Sequence, residues 1–166
     1  MQIITPQDFT LVIKNHNLLL DTNIFIDALI NPTQITRFLN ELKKNGCVLF
    51  TTELVTAEFI RGDVNLEKIN KKEKIIADAI ESYLSITKDT SENVIKLLKL
   101  YKEDSKSLSI TDLILGSFLM QYPGELFLIS KNTADFPTNI FRLETFFTLV
   151  HRKALQNYGI YSFPGD

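Results

Sequence analysis

The sequence predicts an α/β protein, a three-layer α/β/α sandwich around a central parallel sheet. Short apolar runs of strand length recur along the chain, at Leu18–Leu20, Cys47–Thr52 and Glu125–Ser130. Segments with apolar residues at helical spacing stand between them. Strands that alternate with helices are most simply accommodated in a parallel sheet covered on both faces.

Taken in order, the first strand at Leu18–Leu20 leads into a short helix in which Ile24, Phe25, Ala28 and Leu29 share a face. Asn31 and Pro32 open the next helix as N-cap and first helical residue. Ile35, Phe38, Leu39 and Leu42 form its apolar stripe, and Gly46 its stop. The run Cys47–Thr52 is a buried-type strand followed by a short helix ending at Gly62. A longer helix is expected from about Leu66 to Leu84, and a short strand at Ser85–Thr87. Ser91 is the expected N-cap of a helix with Val94, Leu97, Leu98 and Tyr101 on one face, running on to Asp104. Ser109–Gln121 is apolar on nearly every side, hence a central buried helix. The strand Glu125–Ser130, a further strand within 139–145 and a C-terminal helix over 146–157 complete the chain. No repeat or linker interrupts it, so residues 1–166 read as a single domain.

The composition removes several classes. A hydrophobic content of 45% with 23% charged residues fits a soluble globular chain, and no apolar run approaches the roughly 18 residues that span a bilayer. The N-terminus lacks the basic head and apolar stretch of a signal peptide. The single cysteine, Cys47, excludes an internal disulfide and fits a reducing compartment, so a cytoplasmic protein with no membrane partner is expected. A formal charge of −2 gives no overall attraction to nucleic acid. Lysines nevertheless cluster in 70–74 and at Lys96, Lys99, Lys102 and Lys106, as a solvated helix face or a local phosphate track.

In a parallel sheet, ligands bind outside the carboxyl ends of the strands. The first strand ends in Asp21, and the second leads into a helix holding Glu58. Asp112 stands in the first turn of the buried helix, and Asn132 and Asp135 follow the strand at 125–130. Each acid also has a purely structural reading. Asp21 suits an N-cap, Ser109 with Asp112 resembles a capping box, and Asp135 could close a turn with Asn132. Separate structural roles for four acids that share one rim is the less economical account. Four carboxylates together repel one another unless a cation neutralises them. An all-oxygen set favours Mg²⁺ or Mn²⁺, which can activate water for phosphodiester hydrolysis.

Other chemistries fit less well. His16 and His151 lie far from any Ser or Cys signature and are expected to be structural or exposed, and the six glycines form no phosphate loop. Arg61, one turn after Glu58, is expected at the surface. Lys131, beside Asn132, is the best single candidate for a substrate phosphate.

The segments "LLLDTNIFID", "TTELVTAEFIRG", "SLSITDLILGSFL" and "FLISKNTADF" resemble, in order and spacing, the four signature segments of PIN domains. The resemblance covers Leu18 to Glu144 and is closest to VapC-type toxins. It implies an Mg²⁺- or Mn²⁺-dependent endoribonuclease with Asp21, Glu58, Asp112 and Asp135 as catalytic metal ligands. Asn23, Ser130 and Asn132 become supporting polar groups. It further implies RNA as substrate, an antitoxin whose tail enters the acidic cleft, and a homodimer. The lead of residues 1–17 and the length after the last strand depart from the compact toxin pattern. The alternative is a non-catalytic PIN-like domain that binds RNA or protein.

Overall fold

The computed structural model describes residues 2–102, 108–151 and 154–165. Its strands form one mixed sheet in the order β1-β6-β7-β5-β2-β3-β4. The parallel half is the predicted one. Strand β2 (Asn17–Leu20) lies between β5 (Leu126–Ser130) and β3 (Val48–Thr51), and β3 carries the two-residue β4 (Ser82–Tyr83). Leu19 is level with both Phe50 and Leu128, so the carboxyl ends of these three strands form one edge. Leu18, Leu19, Leu20, Leu128 and Ile129 are wholly buried, as strands covered on both faces require.

Helix α2 (Thr22–Ile30) packs on α3 (Pro32–Lys44), α4 (Glu53–Ile60) and α5 (Leu66–Ala79). The pair α6 (Lys88–Tyr101) and α7 (Ile110–Gln121) forms a separate group, with α7 against β5. This is the expected three-layer sandwich. The stripe Ile35, Phe38, Leu39 and Leu42 of α3 is buried as read, and α7 buries every residue from Leu113 to Leu119. Gly46 ends α3 with φ +81°, and a Cβ there would stand 2.2 Å from the Asn15 side-chain oxygen. Among the described residues no helix is long and apolar enough to cross a membrane.

Three boundaries differ from the sequence reading. First, α5 stops at Ala79, because Ile80 is extended and Glu81 pairs with Leu49 through both its backbone N–H (2.8 Å) and its carboxylate (2.6 Å). These bonds draw the chain onto the sheet edge, so the strand is Ser82–Tyr83 rather than Ser85–Thr87. Second, α6 begins at Lys88. Thr87 and Thr90 form a reciprocal capping box there, and Ser91 only returns its hydroxyl to the Thr87 carbonyl. Helix α6 closes at Tyr101; the expected extension to Asp104, and Lys106 of the lysine cluster, lie outside the described residues.

Third, the C-terminal helix over 146–157 is instead two strands, β6 (Arg142–His151) and β7 (Ala154–Ser162). Residues 152 and 153 of that span lie outside the described residues. Thr145, Phe147 and Leu149 are buried while Phe146 is half exposed, a period of two rather than 3.6. Strand β7 runs antiparallel to β5 (Leu128↔Tyr161, Ser130↔Gly159), and β6 pairs with β7. The lead 1–17 completes this half. Strand β1 (Gln2–Ile4) pairs with β6, and Phe9 of α1 (Phe9–Ile13) packs against Phe38 and Phe147.

Candidate active site

Asp21 follows β2 and caps α2. Its Oδ1 accepts the Thr22 N–H at 2.6 Å, so the capping reading holds. Its Oδ2 accepts from Asn23 Nδ2 at 2.8 Å and from Ser130 Oγ at 2.7 Å. Ser130 is wholly buried at the end of β5, and its oxygen also accepts the Asn132 N–H at 3.0 Å. Of the three expected polar helpers, Asn23 and Ser130 bond Asp21 directly, while the Asn132 backbone reaches it only through the Ser130 hydroxyl. A carboxylate has about four lone-pair positions. Three are used, which leaves one on Oδ1 for a further ligand.

Glu58, on α4, accepts the Thr22 hydroxyl at 2.7 Å, so Thr22 links it to the Asp21 turn. Asp112 occupies the first turn of α7. Ser109 Oγ accepts the Asp112 N–H at 3.0 Å and donates to its carboxylate at 2.5 Å, so the cap is the serine and not a reciprocal box. Asp135 lies in the turn after β5, where its N–H donates to the Asn132 carbonyl at 3.1 Å. Its own carbonyl accepts the Tyr101 hydroxyl at 2.5 Å.

The carboxyls sense one another. Burial raises Asp21 above its ordinary value, its neutral donors oppose the rise, and the Asp112 charge adds to it. Burial raises Asp112, Ser109 opposes, and the Glu58 charge adds. Asp135 is raised by burial and then by Asp112. Tyr101 is pushed up by burial, Asp135 and Asp112. Asp112 is therefore the hub of the rim.

Among the described residues none of the ion pairs involves these four acids. Equally, no three His, Cys, Asp or Glu side chains among them are already gathered as a metal-holding group. The donor chemistry suits a hard divalent cation, since all the groups are carboxylate oxygens. Asp21, Glu58, Asp112 and Asp135 are the residues that would hold it.

Lys131 is half buried, with Nζ 3.7 Å from Asp27 Oδ2 and 6.0 Å from the Tyr158 ring centroid. Tyr158 of β7 donates its hydroxyl to Asp27 Oδ2 at 2.5 Å, with the Asn23 carbonyl at 3.0 Å. Beside Glu58 a groove of about 610 Å³ is lined by Leu54, Ile60, Arg61, Ser109 and Ile110. Arg61 is exposed at its margin, as expected. His16 stacks on Phe127 at 4.1 Å, the expected structural role, while the His151 side chain lies outside the description. Sequence reading missed Thr22, Asp27 and Tyr158. Thr22 stood inside "DTN"; for the Asp27–Tyr158 contact the sequence held no signal.

Fold and rim together define an α/β protein with converging acids at the carboxyl edge of a parallel sheet. The chain belongs to the PIN domain family, whose model matches residues 18–133, more than half of its length. The PIN fold is nuclease-like, and its members generally depend on divalent metal ions. No curated protein and no solved structure matches the chain.

Proposed function

We propose that the chain, acting as one PIN-like unit over residues 1–166, is an Mg²⁺- or Mn²⁺-dependent endoribonuclease of the VapC type. The observation that carries this reading is the placement of Asp21, Glu58, Asp112 and Asp135 around the carboxyl edge of the parallel strands, where Asp112 couples electrostatically to each of the other three. A bound ion would supply Lewis acidity and a water of lowered pKa. The residues around it have separate tasks. Ser130, Asn23 and the Thr22 N–H fix the Asp21 carboxylate, and the Thr22 hydroxyl fixes Glu58. Lys131 meets a substrate phosphate at the edge of the rim, and the groove beside Glu58 receives the flanking RNA strand.

A toxin role adds an antitoxin partner, a homodimer and a cytoplasmic setting. The competing reading, a non-catalytic PIN-like domain that binds RNA or protein, is favoured by the lack of a pre-gathered metal group among the described residues. Purified protein incubated with mixed RNA, with Mn²⁺ or with excess EDTA, separates the two. Cleavage is expected with Mn²⁺, none with EDTA, and none from Asp21→Asn. Intact RNA in Mn²⁺ would favour the binding domain, and undiminished cleavage in EDTA would remove the metal assignment.

A further inference from the structure

We propose that Asp27 and Tyr158 form an anchor that holds the Lys131 ammonium off the carboxylate rim, leaving Asp21 to be neutralised by a divalent cation. This rests on the metal-site reading of the four acids. Lys131 directly follows Ser130, whose hydroxyl lies 2.7 Å from Asp21 Oδ2. A lysine next in sequence to the serine that bonds a buried carboxylate is a candidate partner for that carboxylate, since opposite charges at the margin of the interior attract. Yet the groups holding Asp21 are all neutral: the Thr22 N–H, the Asn23 amide and the Ser130 hydroxyl.

The Lys131 ammonium is instead held beside Asp27, with 27% of its side chain still exposed to a substrate phosphate. It lies 3.7 Å from Oδ2 of Asp27, which stands six residues beyond Asp21 along the same helix. Asp27 is only 4% exposed, and a buried carboxylate persists only with partners. Lys131 supplies one, and the Tyr158 hydroxyl at 2.5 Å supplies the other. That hydroxyl has one proton to give. The shorter bond, to the charged carboxylate, takes the larger share, and the 3.0 Å contact to the Asn23 carbonyl locates the ring against α2. Phe147 stacks on Tyr158 at 4.9 Å and 2°, which fixes the phenol from behind.

Tyr158 lies on β7, beyond the segment 18–133 that defines the family. The C-terminal hairpin therefore does more than close the sheet: it gives the rim its charge arrangement. Asp27 and Tyr158 are positioning residues, acting on the metal site through Lys131.

The test is binding of Mn²⁺ alone, read as the Mn²⁺ concentration at the midpoint of the thermal-shift curve of the full chain, with no RNA present. Asp27→Asn keeps the shape and the acceptor for Tyr158 but releases Lys131 onto Asp21. The midpoint is expected to rise about tenfold, the scale on which outer-shell partners of metal ligands act. Adding Lys131→Met to Asp27→Asn should restore the wild-type midpoint, because the competing cation is gone. Plain structural damage at position 27 would persist in the double variant. A midpoint unmoved by Asp27→Asn, or a double variant that stays weakened, overturns the anchor while leaving the metal reading intact. A wild type with no Mn²⁺ shift removes the metal reading and the anchor with it. Should Asp27→Asn fail to fold, Asp27→Ser removes the same charge with a smaller side chain. It should raise the midpoint by a similar factor, and an unchanged midpoint there would equally overturn the proposal.

Discussion

Asp112 has two roles with opposite energetic signs. As an acid in the first turn of α7 it favours the helix by about 0.3–1 kcal/mol through the helix dipole. As the hub of the rim it carries repulsion from Glu58 and passes it to Asp21 and Asp135. The cap itself does not need the carboxylate, because Ser109 takes the Asp112 N–H. Asp112→Asn should therefore melt as high as wild type, or higher, in EDTA. In millimolar Mn²⁺ the wild type gains RT ln(1 + [L]/Kd), and the variant should lose most of that gain. A variant that melts lower in EDTA and keeps the full manganese shift would return Asp112 to a capping role. At this scale the sequence was informative where partners are near in the chain. Asp21 and Asn23 are two residues apart, and Ser109 and Asp112 are three apart. Thr22 with Glu58, 36 residues apart, and Asp27 with Tyr158, 131 apart, are matched only by the fold.

Among the elements, the β6–β7 hairpin shows what periodicity alone could not decide. Phe146, Phe147, Leu149, Val150 and Leu155 satisfy a helical stripe nearly as well as an alternating one, and short apolar runs are ambiguous for that reason. The decision came from long-range pairing: β5 needed a partner on its open edge, and β7 supplies it. The parallel strands were legible because they are buried on both faces and read as unbroken apolar runs, with no choice of period to make. The lead 1–17 could not be assigned without β6, since its strand has no partner within its own stretch. Phe147 holds these additions together. It is wholly buried and meets Phe9 at 6.1 Å, Phe38 at 4.6 Å and Tyr158 at 4.9 Å. Phe147→Ala should cost about 3–5 kcal/mol, with unfolding still a single transition. Chemical denaturation measures this. A loss below about 1 kcal/mol would mean that the lead and hairpin stand outside the cooperative core.

For the whole molecule, the parallel half displays the acids and the antiparallel half secures them, so stability and metal binding should respond to pH together. Asp21, Asp112 and Asp135 all have folded-state pKa values raised above the ordinary 3.8, by burial first and also by a neighbouring carboxylate, Asp112 for Asp21 and Asp135 and Glu58 for Asp112. A carboxyl raised on folding binds its proton more readily in the native chain than in the unfolded one. Its contribution is fully present below the unfolded value and is lost as pH rises through the folded one. Metal-free protein should therefore gain stability from these groups as pH falls from neutral toward their raised values. Asp63 acts in the opposite sense, because its bond to Lys72 lowers it, but its contribution is lost only below the ordinary carboxylate range. With Mn²⁺ the direction reverses. Protons compete with the ion for the same oxygens, so the manganese shift should shrink as pH falls. Thermal melts from neutral pH down toward the ordinary carboxylate value, in EDTA and in Mn²⁺, span the relevant window. The two melting curves are expected to approach each other on acidification, with the EDTA curve rising relative to an Asp21→Asn/Asp112→Asn control. A metal-free curve that tracks that control across the range, together with a manganese shift independent of pH, would show that the acids do not share one site.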